Sequence, residues 1–228
     1  MSIIFLREID GLKSLVEEMC TLVTENFDNT VRAINTLDVA LAHSVMLRDE
    51  EIDRLEVRIT EECFKVIALH QPVATDLRFI IALIQFNTYL ENIGDLSEDL
   101  ASMVISLSKH LRVTSPFDID EMSAKVKKVL DACVDCLIHL DGKRAKEAIA
   151  LDDEVDVMHK NNYRMVKDQI ILNPDHIEQN MYYLSASRYL ERVADYATNI
   201  AEEVVYIVQG DIIRHAKLYK KQDGKGTF

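Results

Sequence analysis

The sequence predicts an all-α protein of two pseudo-symmetric three-helix bundles, six long helices in all. Three observations carry this. Helix breakers are scarce, with 6 glycines and 3 prolines in 228 residues, while good helix formers abound. Apolar residues recur at steps of three and four over long stretches, the period of one helix face. The second half of the chain also repeats the plan of the first, including a pair of acidic motifs.

Taken in order, Leu12, Val16, Met19, Val23, Phe27, Val31 and Ile34 form one stripe, which predicts a first helix from about residue 8 to 45. RDEEIDRLEVRITEECFKVIAL continues as a second helix. It ends at HQPVATD, because Pro72 disfavours a helical conformation in the residue before it. A third helix carries LRFIIALIQFNTYLENIGDLSEDLASMVISLSK. RVTSPFD (112–118) reads as a linker, with Pro116 near the start of the fourth helix. Helix four is expected over 117–140, with AKEAIAL (145–151) as a short helical continuation. Helix five spans 152–172, ended by Asn173-Pro174, and helix six 177–209, stopped near Gly210. The expected organisation is a first bundle over 1–112, a second over 113–212 and a flexible C-terminal tail over 213–228.

Composition narrows the function. The formal net charge of −13 argues against binding to nucleic acid or to an anionic membrane, whose phosphates repel an acidic surface. The apolar start Ile3 to Leu6 is too short for a signal peptide, and FIIALI (79–84) is far short of a membrane span. Cys20, Cys63, Cys133 and Cys136 make no disulfide framework in a chain of this length. A reduced, cytoplasmic protein without membrane insertion is expected.

The repeat is specific. Leu37-Asp38 reappears as Leu140-Asp141, and at the same offset DEEID (49–53) reappears as DDEVD (152–156). Beyond the second hairpin the offset shortens by three residues, and YLENIGD (89–95) meets YLERVAD (189–195). A unit of about 100 residues is too long for a solenoid repeat, so it reads as a duplicated bundle.

The acids in these motifs are spaced to meet. Residues four apart share a helix face, which pairs Asp49 with Asp53, Glu91 with Asp95, Asp152 with Asp156 and Glu191 with Asp195. If helices two and three fold back about Pro72, residue 53 lies level with 91 and 49 with 95. Folding helices five and six about Asn173-Pro174 does the same in the second half. Each hairpin then gathers four carboxylates about 30 Å from its turn. Such a cluster raises the pKa of at least one acid, and hard cations offer the usual compensation. The bland alternative is a solvated face paired with basic residues, and Arg188 and Arg192 beside Glu191 invite some pairing. Recurrence in both halves favours metal.

Other chemistry is poorly supported. A ferritin-like di-iron site needs repeated Glu-x-x-His, but the chain offers only Asp156-Val-Met-His159. His159 reads as a surface histidine. Cys133-Val-Asp-Cys136 has CxxC spacing without the context for zinc or redox work, so buried thiols are expected. No glycine-rich phosphate loop or nucleophile elbow appears.

QPVATDLR (71–78), YLENIGD (89–95), YLERVADYATNIAE (189–202) and QGDIIRHAK (209–217) resemble the PhoU family of phosphate-uptake regulators, over essentially the whole chain. The resemblance implies a cytoplasmic homodimer that holds multinuclear metal clusters through its E(D)xxxD motifs. Iron is the first expectation, with zinc, manganese, magnesium and calcium as alternatives. It implies Asp49, Asp53, Glu91, Asp95, Asp152, Asp156, Glu191 and Asp195 as ligands. It also implies negative regulation of phosphate-starvation genes, by linking the ATPase of the high-affinity phosphate ABC transporter to a sensor histidine kinase. That role is an adaptor's and not an enzyme's. The alternative is metal storage or metal-dependent hydrolysis at the carboxylate clusters. The second half departs from the first: Ala194 stands at the position of Gly94, Asn199 at that of Asp99, and NPDHIEQ replaces QPVATDLR. Partner binding is therefore expected on the first repeat, around Thr75, Asp76 and Arg78.

Overall fold

The computed structural model describes residues 3–209; the expected stop at Gly210 and the tail over 213–228 lie outside them. The described residues form six long α-helices and one short 3-10 turn, with no strand: α1 (Ile3–Thr36), α2 (Val39–His70), α3 (Ala74–Leu107), α4 (Ile119–His139), α5 (Gly142–Leu172) and α6 (Ile177–Gln209), the turn being Pro174–His176. The α1 stripe is buried as expected at Leu12, Val16, Met19, Val23, Phe27 and Ile34; Val31 is only partly covered.

Two boundaries differ from expectation. The first helix does not run to 45: it ends at Thr36, and α2 already begins at Val39. Leu37 adopts a left-handed conformation (φ 52°), and Asp38 caps α2 by accepting a hydrogen bond from Leu41 N at 3.0 Å. The second repeat does the same. Leu140 is left-handed (φ 48°), and Asp141 accepts from Lys143 N and Arg144 N. AKEAIAL is therefore part of α5, which starts at Gly142. Each Leu-Asp pair is the corner between the first and second helix of its repeat.

Within each repeat the three helices pack against one another: α1, α2 and α3 in the first, α4, α5 and α6 in the second. The repeats meet where α3 packs on α6 and α1 on α4, while α2 and α5 stay on the outside. The main hydrophobic core runs from Phe5 on α1 to Val205 on α6 without a break between the bundles, and a small second cluster gathers Leu107, Phe117, Val166 and Tyr183. Its largest fully buried side chains include Phe27, Ile52, Phe86, Leu90, Met122 and Leu130. Tyr89 of α3 meets Tyr196 of α6 with ring centroids 6.3 Å apart. The linker is held by Tyr183, whose hydroxyl donates to Val113 O at 3.0 Å.

All four cysteines are buried and free. Burial pushes the Cys20, Cys63 and Cys136 thiols up to about 12, so they remain protonated and act as small apolar side chains.

Candidate metal centres

The α2–α3 corner is made by Gln71, Pro72 and Val73. Gln71 closes α2 in a left-handed conformation, and its N–H bonds to Ile67 O at 3.0 Å. This corner sets the register of the hairpin, and three of the four expected acids of each hairpin come together. One oxygen from each of Asp49, Asp53 and Asp95 lies within 4.8 Å of the other two. Asp152, Asp156 and Asp195 form the same group in the α5–α6 hairpin.

Glu91 and Glu191 stand at the edge of these triads. Glu91 is pushed up to about 7, first by burial and then by Asp95, Glu56 and Asp53. Glu191 is raised by burial and then by Asp156 and Asp152, while Arg188 and Arg192 pull it back. Among the described residues these arginines form no direct ion pair with an acid. Arg192 donates to Tyr196 Oη at 3.2 Å and lies over that ring, and Arg188 is exposed.

Asp49 is the most constrained of the first set. Its residue is 5 % exposed, and its Oδ1 is buried with no hydrogen-bond partner. Burial, then Asp53, Glu98, Asp95 and Glu91, push its carboxyl up to about 7. Gly94 makes room for it, since a methyl group there would stand 2.9 Å from Asp49 Oδ1 and 3.1 Å from Ile52 Cγ2. Asp95 and Glu98 are raised for the same reasons, burial first and neighbouring acids next.

These residues fit a hard divalent cation. The donors are carboxylate oxygens only, they converge, and one of them is buried without a proton donor. A cation there would supply the missing charge compensation and, on binding, displace protons from the raised acids.

Sequence reasoning missed two members of the first cluster, Glu56 and Glu98. Both bear electrostatically on motif acids. Their signal was helical spacing: Glu56 lies three residues after Asp53, and Glu98 three after Asp95. His159 occupies the position equivalent to Glu56 in the second repeat, and it is not a surface residue. It is half-buried, its Nδ1 lies 3.0 Å from Ser187 Oγ, and burial lowers its pKa.

The proposed partner residues lie on the first turns of α3. Thr75 and Arg78 are exposed and Asp76 is half-exposed. Arg78 forms no ion pair or side-chain hydrogen bond among the described residues. Ala74, just before them, is left-handed (φ 49°), an uncommon conformation for a non-glycine residue.

The fold and the hairpins together define a class, that of duplicated three-helix-bundle proteins with a carboxylate cluster in each half. Comparison with known proteins makes it specific. The profile described as PhoU domain matches twice, over residues 16–104 and 119–204. The chain is 34 % identical over 215 residues to the phosphate-specific transport system accessory protein PhoU homolog of Aquifex aeolicus, covering 94 % of this chain and 97 % of that one. It is 33 % identical over 207 residues to PhoU homolog 1 of Thermotoga maritima, covering 90 % and 89 %. The crystal structure of PhoU from Pseudomonas aeruginosa superposes with a TM-score of 0.88 at 30 % identity, over 91 % of this chain and 100 % of that one. The chain belongs to the PhoU family.

Proposed function

We propose that this chain is a metal-binding adaptor that restrains phosphate uptake and phosphate-starvation signalling. It works in the cytoplasm as a homodimer and is not an enzyme. It contacts the ATPase of a phosphate ABC transporter and a sensor histidine kinase, and it keeps the kinase's output low while phosphate is plentiful. The observation that carries the reading is the pair of acid triads at equivalent places in two repeats, in a chain whose relatives are named as accessory proteins of phosphate-specific transport. The metals it takes are those suited to carboxylate oxygen, iron first. No helix among the described residues is long and apolar enough to cross a membrane, which fits an adaptor that docks on membrane proteins from one side.

The test is genetic and analytical together. Deleting the chain should switch on phosphate-starvation genes in phosphate-rich medium, and the wild-type chain should restore repression. Purified Glu91→Ala/Asp95→Ala protein should hold less metal than wild type while keeping its helix content, since Ala has the higher helix propensity. Normal repression in the deletion strain would remove the regulatory role. Unchanged metal content in the double variant would remove these ligands.

A further inference from the structure

The duplication allows one half's core to be compared with the other's. At the offset that aligns YLENIGD with YLERVAD, Phe79, Ile80 and Leu83 on α3 correspond to Gln179, Asn180 and Tyr183 on α6. The second set is polar and still buried, at 7 %, 1 % and 7 % exposure. Packing alone gives no reason for the change, because a buried amide costs stability unless its hydrogen bonds are made. Tyr183 has a partner in Val113 O on the linker. Asn180 is half satisfied: its Nδ2 donates to His176 O at 3.0 Å, while its Oδ1 is buried with no partner. The side chain of Gln179 forms no hydrogen bond among the described residues.

Gln179 lines a hollow of about 280 Å³ between the Leu37 corner, the end of α3 and the linker. The pseudo-symmetric place, lined by Leu140, Phe79 and Leu83, holds only about 110 Å³. The hollow beside Gln179 has apolar walls in Leu37, Leu107 and Val113, and Leu111 lines it while 79 % exposed. Its charged lining residue is Arg112, which is exposed and forms no ion pair among the described residues. His110 also lines it, with its Nδ1 3.4 Å from Glu178 Oε2. Arg112 borders a second cavity, of about 440 Å³, on the other side of the linker. Asp120 lines that one, so an anion is favoured on the side of Gln179.

We propose that this hollow binds a nucleoside monophosphate, with the phosphate on Arg112 and a base edge on Gln179. A guanidinium takes a phosphate by two parallel hydrogen bonds. A carboxamide presents a donor and an acceptor side by side, which matches the edge of a nucleobase. The leucine and valine walls cover the apolar ring faces. Small-ligand sites occupy about 300–1,000 Å³, so a hollow at the lower end of that range suits one nucleotide and not a dinucleotide. None of the acids of the two triads lines it, and the proposal goes beyond the adaptor reading without using the metal.

The probes are AMP, GMP, CMP and UMP, each titrated by equilibrium dialysis into full-length protein. The protein is kept metal-free, so that the carboxylate clusters cannot hold a phosphate through a bridging cation. The expected result is one nucleotide per chain, with the matching nucleoside and inorganic phosphate each binding at least about tenfold more weakly, since each keeps only half of the contacts. Arg112→Ala and Gln179→Leu should each weaken the nucleotide by about tenfold or more. Gln179→Met, closer in shape, should do the same and covers the case in which the leucine variant fails to fold. Neither Gln179 variant should melt below wild type, because each removes a buried amide without a partner. Failure of all four nucleotides to bind at about 1 mM would overturn the proposal, as would affinity unchanged in Arg112→Ala or in a folded Gln179 variant. Inorganic phosphate binding as tightly as the best nucleotide would also overturn it, leaving an anion subsite alone. A Gln179→Met protein that melts lower yet binds normally would assign Gln179 to the fold. Each of these failures leaves the metal content, and with it the metal reading, untouched.

Discussion

Asp49 and Glu91 are carboxyls that hold their protons to about pH 7 in the folded chain, whereas unfolded acids release them near pH 4. Between those values the folded state binds more protons than the unfolded one, so stability falls as pH rises. Asp95, Glu98 and Glu191 shift in the same direction. The contribution is complete below about pH 4 and is lost as pH passes about 7. Metal-free protein should therefore have a lower urea midpoint at pH 8 than at pH 5, and the Glu91→Ala/Asp95→Ala protein should show a shallower dependence. A midpoint that rises from pH 5 to pH 8 would mean the cluster is not strained. The motif acids were legible in the sequence because their fourfold spacing recurs in both halves. Glu98 was not, because its repeat partner is a threonine and the repeat was the guide.

The helices were legible over most of their length, since apolar period and proline position fix where a face is buried and where a chain must turn. The corner of the first repeat was not. A leucine in the left-handed region is costly and uncommon, so Leu37 does not read as a stop, and the stripe leads the eye across the break. In the second repeat the expected helix end at 140 agrees with α4, but α5 starts at Gly142, ten residues before the expected start. The repeat did align the two Leu-Asp pairs, and the aspartates were the available signal, because Asp is a preferred N-cap. Both caps are made, Asp38 to α2 and Asp141 to α5. Asp141 also has its carboxyl held below the usual range, chiefly by the Arg144 backbone N–H. Asp141→Ala should lower the urea midpoint at constant slope, and Asp141→Asn should lower it less, because Asn also caps well. Equal losses in the two variants would show that the cap hydrogen bonds are not what holds the corner.

Six helices packed around a shared main core present long exposed faces, and the proposed adaptor role needs such faces. The α2–α3 corner presents Arg78 to solvent without an acid partner among the described residues. Arg78 therefore has its guanidinium available for a bidentate bond to a partner carboxylate, a geometry lysine cannot reproduce. If the chain docks on the transporter ATPase as proposed, Arg78→Ala and Arg78→Lys should each weaken that binding, by about tenfold or more for the alanine, with melting temperatures unchanged. A variant that melts lower yet binds normally would assign Arg78 to the corner's own order. The exposed residues around the corner could be picked out in the sequence from the resemblance alone; helical period says nothing about which exposed residue meets another molecule.

The core that passes unbroken from one bundle into the other also bears on ancestry. A chain half this length would leave the face of α3 that now meets α6, Tyr89 included, in water. It would have needed a second copy of itself to cover that face, and its stability would have depended on its own concentration. Joining two copies end to end makes that association intramolecular. It also frees each half from having to match itself across a symmetry axis, so one copy could keep Gly94 and Glu98 while the other came to carry Ala194 and Thr198.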